Sequence, residues 1–168
     1  MANTTYDLIA SQTLGSAAAS ITFSSIATSW TDLRLVLVPT TTSAGSAYVA
    51  FNGDNASTNY FGTTLYGDGS VSSWNSPANQ AKINLTWDDN TYTTNPSLRT
   101  MDIMSYTGSS YKTCLTTSSN DNNGGGYVTR QAWIWRNTSA ITSIVIYTNA
   151  ANTYKTGTTA QLYGIKAA

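Results

Sequence analysis

The chain has 168 residues, with 8 basic and 8 acidic side chains, no His, one Cys and a charged share of 10%, against about 25% in a typical globular domain. All eight acids are Asp, and Thr, Ser and Asn together fill 65 positions, so hydroxyls and amides rather than charges must keep the surface wet. Zero net charge with scattered basic residues argues against nucleic acid, the missing His and single Cys exclude zinc, and no apolar run is long enough for a membrane-spanning helix.

Strong helix formers are scarce, whereas Thr, Val, Ile, Tyr and Trp, which suit a pleated and half-buried surface, are plentiful. Eleven Tyr, five Trp and three Phe also supply more core-forming side chains than a disordered segment carries. In chain order, period-2 segments start at Tyr6–Ala10 and Ile21–Phe23. Leu33, Leu35 and Leu37 then share one face of a strand, with Arg34, Val36 and Val38 on the other. Apolar character on both faces predicts a central strand covered on both sides.

Ala47–Phe51 alternates up to Asn52-Gly53, a dipeptide that favours a tight turn with positive φ. Tyr60–Tyr66 follows, and Asp68–Gln80, rich in Gly, Ser and Asn, is expected to be a loop containing Trp74. Ile83–Trp87 is the next strand, stopped by Asp88-Asp89-Asn90. Leu98–Tyr106 and Tyr111–Thr117 pair as a hairpin across Gly108-Ser109-Ser110. Ser118–Gly126 is expected to be the most flexible segment. Val128–Arg136 carries Trp133 and Trp135 on one face, Ile141–Tyr147 reads as a central strand apolar on both faces, and Ala160–Lys166 closes the set. Eight to eleven short strands separated by turn signals predict an all-β, single-domain antiparallel β-sandwich of jelly-roll type over residues 1–168.

No catalytic constellation is readable. Without His or Glu, neither Ser-His-Asp nor Cys-His arrangements can be built. Asp88 and Asp89 are adjacent at a turn and read as solvated turn acids rather than a glycosidase pair. The sequence therefore predicts a protein that is not an enzyme and that uses no cofactor. Asn and Asp clusters at 52–55, 68, 88–90 and 120–123 offer oxygen ligands for calcium, but the EF-hand spacing and its closing Glu are missing. Four Asn-x-Ser/Thr sequences, at Asn3, Asn55, Asn84 and Asn137, arise readily by chance at this composition.

The aromatics divide into two groups. Trp133 and Trp135 alternate on one strand face and read first as core, since a sandwich interior needs large side chains at such positions. Trp74, in its polar segment, is the best single candidate for contact with a partner or glycan, together with Asn120, Asp121 and Asn122. Arg34, alone in an apolar strand, must pair with an Asp such as Asp32 or Asp102, or face a subunit interface. Cys114 cannot form an internal disulfide.

Several stretches together resemble small virion structural proteins of tailed bacteriophages. They are Tyr6-Asp7-Leu8-Ile9-Ala10, Ser20-Ile21-Thr22-Phe23-Ser24-Ser25-Ile26, Thr31-Asp32-Leu33-Arg34-Leu35-Val36-Leu37, Phe51-Asn52-Gly53-Asp54 with Asn59-Tyr60, Tyr111-Lys112-Thr113 and Leu162-Tyr163-Gly164-Ile165. Their order and spacing span nearly the whole chain. Ala27 stands where the family often has Pro, and Trp30 where Tyr is usual, both in a turn. The resemblance implies a β-sandwich used in head decoration or as a tail or fibre component, with no catalytic residues to carry over.

With no heptads and no collagen-like run, the chain looks like a compact add-on module, so a capsid decoration (cement) protein in the virion is expected. It would be assembled in the host cytoplasm, in keeping with a start, Met1 to Thr5, that lacks the pattern of a signal peptide. The expected partner is the major capsid protein or another virion protein, the expected state a homotrimer, and the expected contacts are Ala2–Ala10 and Asp68–Gln80. The alternative is a receptor- or carbohydrate-binding module of a tail or head fibre, facing a host surface glycan.

Overall fold

A computed structural model describes residues 5–55, 58–86, 93–121, 125–149 and 151–166. The described chain holds twelve strands and no helix: β1 Tyr6–Thr13, β2 Ser20–Phe23, β3 Asp32–Val38, β4 Ala47–Phe51, β5 Tyr60–Gly67, β6 Ser72–Asn75, β7 Ile83–Asn84, β8 Leu98–Met104, β9 Lys112–Asp121, β10 Gly126–Trp135, β11 Ile144–Thr148 and β12 Thr159–Ile165. Each of the eleven expected segments contains a strand. The twelfth, β6, exceeds the expected count because Ser-Ser-Trp-Asn has no apolar alternation to mark it.

All pairings are antiparallel and form two sheets, ordered β1-β12-β3-β8-β9-β10-β5-β6 and β2-β11-β4-β7. Setting aside β5–β6 and β9–β10, the remaining eight strands change sheet at each step along the chain except between β4 and β7, which are neighbours in the smaller sheet. Their orders are then first-eighth-third-sixth and second-seventh-fourth-fifth, the double Greek key of a jelly roll. The two extra strand pairs widen only the first sheet, from four strands to eight.

The core forms where the two sheets overlap. Leu33, Leu35 and Leu37 of β3, Met101 and Ile103 of β8 and Leu162 of β12 pack in one buried cluster with Ile21, Phe23, Val49, Phe51, Ile144 and Ile146 of the smaller sheet. The opposite faces of β3 and β11 are only half-buried, which corrects the expectation that both strands are covered on both sides. They are central because each has two strand neighbours, and the second sheet covers only one face of each. Trp133 and Trp135 are fully buried, as their alternation predicted.

At the Asn52-Gly53 turn both residues have positive φ, 54° and 71°, as the dipeptide predicted. The turn delivers Asp54 beneath the core aromatics, where its carboxylate accepts the Trp135 indole N–H at 2.7 Å and the Asn59 amide at 2.8 and 3.0 Å. Arg34 pairs with Asp102, its register partner on β8, at 3.5 Å, and its guanidinium also donates to the Tyr6 hydroxyl at 3.3 Å. Lys112, buried at the start of β9, donates to the carbonyls of Gly108, Ser110 and Thr138, so one ammonium ties the β8–β9 turn to the segment after β10.

Candidate functional site

Trp74 lies on β6, the edge strand of the eight-stranded sheet, and not in a loop; its side chain is 69% exposed. Backbone pairing with β5, in register from Thr64↔Asn75 to Gly67↔Ser72, holds the segment extended despite its loop-like composition. The expected flexible segment is also largely strand. β9 runs to Asp121 and β10 starts at Gly126, with ten residue pairs in unbroken register from Lys112↔Trp135 to Asp121↔Gly126. A long registered ladder outweighs the turn preference of its Ser and Asn residues.

Asn120 Oδ1 accepts the backbone N–H of Tyr127 at 2.8 Å, and Asp121 is exposed at the strand end. Asn122 lies outside the described residues. Asn120 and Asp121 do meet the β5–β6 turn, where Gly67, Asp68 and Gly69 complete an open depression of about 360 Å³. Trp74 does not line it, so the residues singled out from the sequence do not form one site.

What the sheet does assemble is an apolar face. Residues directly opposite in a ladder share a face, and the outward face is traced by Trp74↔Leu65↔Arg130↔Thr117↔Thr100↔Val36 in one row. A second row runs Ala132↔Leu115↔Asp102↔Arg34↔Tyr163↔Leu8. Ten large apolar side chains are exposed among the described residues, and eight of them lie on this face: Tyr6, Leu8, Leu65, Trp74, Leu98, Met104, Leu115 and Val128. Leu65 and Val128 are 59% and 62% exposed.

Among the described residues, Asp32, Arg34, Asp102, Asp121 and Arg130 bring charge to the outward face, and Arg34 is already paired with Asp102. Sequence reasoning missed this face. Its signal is an inverted pattern in β5, β9 and β10, where Thr64, Thr116, Thr129 and Gln131 are buried while Leu65, Leu115 and Val128 are exposed.

No group of three or more His, Cys, Asp or Glu comes together among the described residues. Cys114 is fully buried, and burial pushes its thiol well above the ordinary value, so it is a core residue with little thiolate character. Compared with known proteins, the chain matches no family model, no curated protein and no solved structure.

Proposed function

We propose that this protein is a non-enzymatic structural subunit of a bacteriophage virion, a capsid decoration protein that seats the outward face of its eight-stranded sheet on the major capsid protein. The observation that carries the reading is the gathering of eight exposed large apolar side chains on that one face. Scattered exposed apolar residues need no explanation, but a concentration of them on one face of one sheet points to an interaction surface. The resemblance to small virion proteins supplies the kind of partner, and the jelly-roll strand order is one that capsid domains use.

The physical effect would be mass action: a subunit that binds the assembled lattice and not its free parts stabilises the lattice. The sparsely charged, Thr-rich composition of the face suits a broad contact formed without strong electrostatic steering. Copy number per particle, measured by gel densitometry against the major capsid protein, tests the reading. Decoration requires a number comparable to the shell protein, and a count of a few per cent would move the chain to a tail or fibre.

A further inference from the structure

The four-stranded sheet carries a cleft of different chemistry. Tyr48 of β4 and Tyr147 of β11 are direct partners in the ladder, while their neighbours Val49 and Ile146 turn into the core. Both tyrosines therefore stand on the outer side of this sheet, half-buried, with Cβ atoms about 4.5–5.5 Å apart as such pairs require. They line a cleft of about 480 Å³ together with Gln80, Lys82 and Asn149. Lys82 Nζ sits 5.0 Å from the centre of the Tyr147 ring, and no carboxylate among the described residues is within ion-pair distance of it.

A second cleft, of about 360 Å³, shares Tyr48 and Gln80 with the first and extends to Asn84 and Gln131. Gln131 Oε1 accepts the Trp133 indole N–H at 2.5 Å. An indole can only donate, so the amide must present its oxygen there. Its Nε2 is left without a partner among the described residues.

Aromatic rings beside side-chain amides, in a concave site of this size, match the chemistry of a sugar. The apolar face of a pyranose lies on a ring, and its paired hydroxyls both donate and accept, as amides do. The single ammonium adds a preference for one negative charge. A phosphate would bring about two charges against that one cation, whereas a carboxylate balances it. We propose that this cleft is a saccharide site whose sugar carries a carboxylate facing Lys82. The inference stands apart from the lattice reading, because no residue of the outward face of the eight-stranded sheet lines either cleft.

The test is calorimetric titration of the full chain with sialyllactose and tetragalacturonate, and with lactose and cellotetraose as neutral counterparts. A carboxylated saccharide is expected to bind, and Lys82→Ala and Tyr147→Ala should each weaken it at least about tenfold, the scale of one lost aromatic or charge contact. Tyr147→Phe keeps the ring and should retain binding, and Trp74→Ala, on the other sheet, should bind as the parent does. Thermal unfolding of each variant separates loss of contact from loss of fold. Failure of the folded parent to bind any of the four would overturn the proposal, as would binding indifferent to both alanine variants. Equal affinity for the neutral counterparts would overturn the carboxylate.

Discussion

Trp135 and Asp54 are joined through 81 residues of sequence by one hydrogen bond, the indole N–H to the carboxylate at 2.7 Å. The bond sits at the rim of the core, where Trp135 also packs edge-on against Phe51 at 5.5 Å and stacks on Tyr60 at 6.4 Å. The Tyr60 hydroxyl is tied to the same corner, donating to the Asp54 carbonyl at 2.9 Å and accepting from the Phe51 N–H at 3.0 Å. One turn thus orients three core rings.

Removing that carboxylate should therefore destabilise the whole sandwich. Asp54→Ala leaves the indole and the Asn59 amide without their acceptor and is expected to cost about 1–3 kcal/mol in urea unfolding. Asp54→Asn keeps one oxygen and should cost less. Equal stability of Asp54→Ala and the parent would remove the corner from the account.

Two glycines should separate tight from adjustable packing. A methyl at Gly62 would meet the Ala132 carbonyl oxygen at 2.6 Å and the ring of Trp133 at 2.6 and 2.8 Å, where neither backbone nor buried ring can yield. At Gly164 the methyl would overlap the ring of Trp30, which is only half-buried and bonded outward to Asp7 at 3.2 Å. Gly62→Ala should cost about 3 kcal/mol or more and Gly164→Ala about 1–2, as the neighbour's freedom to move dictates. Denaturation midpoints in the reverse order would contradict this.

Stability should fall in alkali, beginning with one thiol. Burial raises the folded-state values of Cys114, Tyr60 and Tyr154 above those of the unfolded chain. Their contributions are therefore complete below the ordinary thiol and phenol values and are lost as pH rises past them, at about 1.4 kcal/mol per pH unit for each group. Arg99 runs the other way: burial lowers it to about 10, so stability recovers above pH 10, where the folded chain gives up that proton while the unfolded chain still holds it. Between pH 8 and 10 the parent should lose about 2 kcal/mol more than Cys114→Ala, the thiol's share of the loss. Parallel stability curves for the two proteins over that interval would contradict the assignment.

Most of the framework was legible because one face of each central strand is dry. Leu33, Leu35 and Leu37 alternate visibly, as do Trp133 and Trp135, and Asn52-Gly53 announces its turn. β6 was illegible because its place is set by backbone pairing with β5, and Ser118–Asp121 was misread because its order comes from its neighbours β8 and β10, not from its own residues. The apolar outer face was hidden for a further reason. Where the eight-stranded sheet outgrows its partner, Thr64, Thr116, Thr129 and Gln131 turn inward and Leu65, Leu115 and Val128 outward, so alternation gives the period without the side. Tyr48 and Tyr147 are 99 positions apart, and only the β4–β11 ladder brings them together.

The central claim concerns the outward face of the eight-stranded sheet, and co-sedimentation with particles stripped of this protein tests it most directly. The variant combines Leu65→Asp and Val128→Asp, two exposed positions where substitution should change stability by no more than about 0.5 kcal/mol each, and Thr22→Asp on the four-stranded sheet is the control. The account predicts that the parent and the Thr22 variant sediment with the particles while the double variant, folded by thermal unfolding, stays in the supernatant. Equal sedimentation of all three would show that this face does not seat on the lattice.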